Sequence, residues 1–115
     1  MLIDVLGTPY KLILKNPDND KALGECGGYR DAYAKEIVVA DYEQDKTDPM
    51  QTKKIKELVK HNIRHEIIHA FMFESGIDAN ALNASFAWAK NEEMIDWFAI
   101  QGKKIYAAWK IAGAI

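Results

Sequence analysis

The chain has 115 residues, 49% hydrophobic and 28% charged, which suits one domain with a core of its own. A formal net charge of -2 excludes a global attraction to nucleic acid and gives no reason to expect an acidic substrate. The single cysteine, Cys26, excludes an internal disulfide and any Cys-x-x-Cys metal site.

A lone cysteine fits a reducing compartment. The start, Met1 to Asp4, lacks the basic flank and long apolar run of a signal peptide. No run of about 18 uncharged apolar residues occurs, so no membrane span is expected. These features together predict a cytoplasmic protein.

The first third reads as strands. Residues 2–6 and 10–14 flank Gly7-Thr8-Pro9, which predicts a hairpin. Residues 16–20, Asn-Pro-Asp-Asn-Asp, read as a loop. Residues 24–30, a turn within 31–35 and the β-branched run 36–40 predict a second hairpin. After Asp48-Pro49 the period changes. Asp48 suits an N-cap and Pro49 the first helical position. Ile55, Leu58, Val59, Asn62, Ile63, Glu66, Ile67, Ala70 and Phe71 then recur at helical spacing, which predicts a long amphipathic helix. Ser75-Gly76 supplies its stop. Residues 77–90 read as a connection with some helical turn. A last helix is expected from about Asn91 toward Ala112, with Met94, Ile95, Phe98, Ile105, Ala108 and Trp109 available for the core. Strands first and helices second predict an α+β domain over residues 1–115, with an antiparallel sheet of three or four strands.

The chemistry concentrates at His65-Glu66-Ile67-Ile68-His69. Two histidines four apart on a helix lie on one face, one turn apart, and can reach one ion. Glu66 sits beside the first of them, placed to hydrogen-bond a metal-bound water rather than the metal. Zinc lowers the pKa of such a water to about 7, and the carboxylate takes its proton during attack on a carbonyl. The competing reading is two surface histidines and a solvated glutamate, but the pattern rarely arises by chance in a chain with three histidines.

A tetrahedral catalytic zinc needs a third protein ligand. No histidine follows His69, so a carboxylate or His61 is required. One ion is not expected to reach three successive turns of one helix, which leaves His61 beside the metal shell or exposed. The stretch Asn91 to Asp96 supplies carboxylates. Glu92 is the expected ligand, with Glu93 its competitor, and Asp96 one turn on would accept a ring N–H from a ligand histidine. The plain alternative for each is a solvated carboxylate favoured by the helix macrodipole. Lys53, Lys54, Lys56 and Lys60 form a basic patch that reads as a solvated helix face.

His65-Glu-Ile-Ile-His69 followed by Asn91-Glu92 and Asp96 resembles the gluzincin pattern. The run Glu92–Ala99, with Trp97-Phe98-Ala99, resembles the second motif of ImmA/IrrE-like metallopeptidases. Gly27-Gly28-Tyr29-Arg30 and Ile37-Val38-Val39 resemble the strands before the active helix in those proteins and in SprT-like proteins. As a whole the chain is similar to short zinc peptidase-like proteins of phages and prophages, over roughly residues 2–105. It departs from the common motif in having Ile67-Ile68 where a glycine is frequent, and it has no downstream histidine of the SprT kind.

The resemblance implies a minimal zincin-like fold: a small sheet packed on the His-Glu-x-x-His helix and on a second, glutamate-bearing helix. It implies a zinc metallopeptidase with His65, His69 and Glu92 as ligands, Glu66 as general base and Asp96 behind a histidine. The peptide substrate would add along the strand near Gly27–Asp31, although Gly27-Gly28 also reads simply as a turn or bulge. The compartment would be the host cytoplasm if the gene is a phage's. Tyr29, Tyr33, Trp88 and Tyr106 are oxyanion candidates, each read first as core; Cys26 reads as a small buried hydrophobe. The rivals are a non-catalytic zinc module of the same fold and a small DNA-associated factor using the lysine patch.

Overall fold

The computed structural model describes residues 1–78 and 87–115. They form an α+β domain of four strands and two helices: β1 (Leu2–Val5), β2 (Thr8–Lys15), β3 (Gly28–Asp31), β4 (Glu36–Ala40), α1 (Ile55–Glu74) and α2 (Glu92–Ile111). Short 3-10 turns cover Pro17–Asn19, Lys21–Gly24 and Trp88–Lys90. Most of the 77–90 connection lies outside the described residues.

The sheet order is β1-β2-β4-β3, and the sheet is mixed rather than antiparallel. Both hairpins are antiparallel, but β4 runs parallel to β2, with Leu12 beside Ile37 and Ile13 beside Val38. The reason lies in side-chain polarity. Ile37, Val38, Val39 and Ala40 are all buried, so β4 is apolar on both faces and takes the interior position. An interior β3 would bury Arg30 and Asp31. With β4 inside and parallel to β2, β3 becomes an edge. The first hairpin also turns earlier than expected: Leu6 (φ 52) and Gly7 (φ 87) form a two-residue turn, and Thr8 and Pro9 pair with Val5 and Asp4. Gly24 lies in a 3-10 turn rather than in the second hairpin.

One sheet face packs against α1. Val5, Tyr10, Ile37 and Val39 meet Val59 and Ala70 there, with Ile63 and Ile67 at the margin. The other face buries Val38 and Ala40 under Leu23. Helix α1 begins at Ile55, not at Pro49. The Asp48 side chain instead accepts the Met50 N–H in an isolated turn, and the Ile55 N–H is capped from a distance by the Gln44 side chain at 3.1 Å. Helix α2 packs on α1 through Ile95 and Ala99. Its second half runs past the body, so Ala108 and Trp109 are exposed rather than core; Phe98, in the first half, is exposed as well. No described helix is long and apolar enough to cross a membrane.

The C-terminal end of α1 is tied to the sheet by Glu74. Its carboxylate accepts from the Tyr10 hydroxyl at 2.7 Å and from Lys35 Nζ at 2.5 Å. Lys35 chiefly, then Tyr10, hold the Glu74 carboxyl below its ordinary value of 4.5. A carboxylate whose folded value is depressed stabilises the fold above its unfolded value, and that contribution is lost as the pH falls through the folded one. Glu74→Gln should therefore melt below wild type at pH 7, and the gap should shrink below pH 4.5. Thermal melts of both proteins at pH 7 and pH 3 check this; a gap that stays the same at both would refute it.

Candidate metal centre

Helix α1 carries His61, His65 and His69 in one stripe, and α2 starts opposite its middle. Asn91 caps α2 by accepting the Met94 N–H at 2.8 Å, which fixes the helix's first turn. From that turn Glu92 reaches the histidines: its Oε2 is 3.1 Å from His65 Nε2 and its Oε1 is 3.0 Å from His69 Nε2. The two imidazole Nε2 atoms are 3.2 Å apart. Glu93 lies on the other side of α2, in a shallow depression with Trp88 and Trp97.

Asp96 stands behind His65. Its Oδ1 is 3.1 Å from His65 Nδ1 and 2.6 Å from His61 Nε2. The His61 hydrogen bond chiefly, with that of His65, holds the Asp96 carboxyl below its ordinary value. A carboxylate only accepts, so a neutral His65 with its proton on Nδ1 toward Asp96 would keep a lone pair on Nε2 for a metal. That lone pair would face the Glu92 carboxylate and the His69 ring nitrogen. Converging acceptors repel unless a proton or a metal cation sits among them. Zinc bonds of about 2.0–2.2 Å at tetrahedral angles put ligand atoms about 3.3 Å apart, close to the spacing here, so the residues fit the ion. Among the described residues, His65, His69 and Glu92 form a group able to hold a metal.

Glu66, next to His65, is 8% exposed and has no hydrogen-bond partner among the described residues. Its burial raises the carboxyl above the ordinary value, the nearby His65 and Arg30 opposing. Burial likewise lowers the His69 imidazole. The cleft over these residues measures about 440 Å³ and is walled on its far side by Gly27, Gly28, Tyr29 and Arg30. Two glycines permit that approach. A Cβ on Gly27 would meet Asn62 Nδ2 at 2.3 Å, and one on Gly28 would meet Glu66 Cγ and Val38 O at 3.0 Å. The pair is thus neither a bare turn nor a bulge: it lets β3 lie against α1.

The sequence reading missed Arg30. Strand alternation puts it on the same face as Gly28, toward α1. Its guanidinium lies 5.1 Å from the Phe73 ring and 3.9 Å from the Asp78 carboxylate, while Nε and Nη1 are buried without a hydrogen-bond partner among the described residues. An arginine on an edge strand two residues after a glycine was the available signal.

The aromatic candidates fare differently from expectation. Tyr33 (94% exposed), Trp88 and Tyr106 are exposed, not core. Tyr29 lines the cleft, but its hydroxyl donates to Asp20 at 2.6 Å, a bond that pushes its pKa up to about 12. Cys26 is exposed at the cleft rim rather than buried, its Sγ 3.2 Å from the Ala22 carbonyl. Of the basic patch, Lys56 pairs with Asp41 at 3.7 Å and Lys60 with Glu57 at 3.3 Å.

No family model, curated protein or solved structure matches this chain.

Proposed function

We propose that this protein is a zinc-dependent hydrolase of minimal zincin-like architecture whose substrates are peptide bonds. The observation that carries the reading is the convergence of His65 Nε2, His69 Nε2 and the Glu92 carboxylate, with the Asp96 carboxylate 3.1 Å from Nδ1 on the far side of His65. His65, His69 and Glu92 would hold zinc, which when bound acts as a Lewis acid and acidifies water in its shell. The chain's own residues supply the rest. Asp96 orients His65 and keeps its Nε2 free to bind, with His61 steadying Asp96. Glu66, buried at the cleft wall and without a hydrogen-bond partner among the described residues, is the base that takes a proton from the attacking water and returns it to the leaving amine. Its raised pKa moves it toward the range where a general base works, and a cation beside it would draw the value back down. Arg30 brings a positive charge to the cleft wall, which would support an oxyanion forming on the substrate. The edge position of β3 supports binding of an extended peptide alongside it, one strand added to the sheet.

The test is cleavage of an unstructured polypeptide by zinc-loaded protein, stopped by a chelator and restored by zinc. Failure of zinc to restore a measurable activity would sink the reading. Among ligand variants, Glu92→Ala should lose most of its zinc affinity while Glu93→Ala keeps it, since of these two glutamates Glu92 reaches His65 and His69. Asp96→Ala should weaken zinc binding by about 10–100-fold, the usual cost of losing a group behind a ligand. Zinc titrations of the three variants separate these outcomes, and retention by Glu92→Ala with loss in Glu93→Ala would exchange the two roles.

A further inference from the structure

A second and larger cleft, about 960 Å³, opens beside the metal cleft between the first half of α1, the second half of α2 and the segment before α1. The two clefts are continuous in their walls. Gly27 and Asn62 line both, and His61 of the larger cleft is bonded to Asp96 of the smaller. The larger cleft is lined by four permanent cations, Lys54, Arg64, Lys103 and Lys104, and by one carboxylate, Glu57. That carboxylate is already matched by Lys60 at 3.3 Å. The chain as a whole carries a net charge of -2, so the positive field is local to this cleft. Its walls also expose apolar surface, with Leu58 at 38% and Ile100 at 41%. Arg64 is held in place by the hydrogen bond from its Nε to the Ala99 carbonyl on α2.

We propose that this cleft receives an acidic stretch of the substrate polypeptide on one side of the bond that is cut, and so sets the specificity of the enzyme. The inference rests on the peptidase reading for what happens next door, but the cleft can be tested without turnover. Lysines in a concave wall draw in carboxylates and repel cationic chains, which makes charge the discriminating feature. The exposed Leu58 and Ile100 fit an apolar side chain among the acidic ones.

The experiment uses three dye-labelled peptides of one length, each with an apolar residue flanked on one side by glutamates, glutamines or lysines. Anisotropy reads their binding to zinc-loaded Glu66→Gln protein, and wild type is assayed for kcat/KM on the same peptides. The glutamate peptide should bind at least about tenfold tighter than the lysine peptide, with the gap narrowing as salt rises. Charge reversal by Lys103→Glu with Lys104→Glu should invert that order. Equal binding of all three peptides overturns the proposal. So does a DNA oligonucleotide that binds with the same reversal while the glutamate peptide fails to compete. Cleavage of all peptides without preference removes the specificity role and leaves the peptidase reading standing. Charge-ordered binding with no cleavage of any peptide leaves the cleft as a site for acidic peptide and removes the peptidase reading with the specificity role that depends on it.

Discussion

Glu66→Gln is expected to keep zinc near the wild-type level and to lose hydrolysis by orders of magnitude. The substitution preserves size and shape, so the packing against Gly28 survives. What it removes is the proton acceptor. Positioned acid–base catalysis contributes about 10²–10⁴-fold, and loss of charge support in the transition state adds to that. Because Glu66 does not contact the Glu92 carboxylate or either ligand nitrogen through a hydrogen bond, metal content has no reason to fall. Paired measurements of zinc by elemental analysis and of kcat/KM on an unstructured protein decide the matter. If Glu66→Gln arrives without metal, Glu66 is itself a ligand and the assignment of roles is wrong. If wild type carries zinc and cleaves nothing across broad substrates, the non-catalytic zinc module is the better description.

The second large effect concerns zinc itself. One equivalent per chain is expected in wild type and far less in His65→Ala or His69→Ala, because each substitution removes one of three donors around a single point. Equal zinc in all three proteins would sink the assignment. Binding should also stabilise the fold. A ligand bound only by the native state at about 1,000 times its Kd adds about 4 kcal/mol. At about 4 °C per kcal/mol for a domain of this size, a chelator should lower Tm by an amount on the order of 15 °C. The cause is local as well as thermodynamic. A metal held by His65, His69 and Glu92 would cross-link α1 to α2, so its removal takes away an attachment between the two helices. The chelator effect should therefore largely vanish in Glu92→Ala, and a full-sized shift in that variant would show that the metal binds elsewhere.

The His65/His69 pair, Glu66 beside it and the acidic start of α2 were legible in the amino-acid sequence, and for one reason. A helix repeats every 3.6 residues, so spacing alone puts residues four apart on one face. The same rule tells that Glu92 and Asp96 share a face. It cannot tell which face of α2 meets α1, and so the rivalry of Glu92 with Glu93 waited for the packing of Ile95 and Ala99 against α1. The β-branched run 36–40 announced a strand, and its polarity already carried its place: an all-apolar strand belongs inside a sheet. Pairing across the chain then made β4 parallel to β2, a consequence that hairpin-by-hairpin reading does not reach. The start of α1 shows local chemistry overruled. Asp48-Pro49 has the composition of a helix start, but Gln44 reaches across the loop to cap Ile55 and the helix begins there. Arg30, Gly27 and Asn62 gain their meaning only where β3 lies against α1, because a close approach between two elements is a property of neither. The lysines of the larger cleft are the same case: Lys54 and Lys103 are far apart in the chain, and the packing of the two helices makes them line one cleft. Periodic chemistry within one helix is written in the sequence; which helix faces which strand is decided by the burial of everything else.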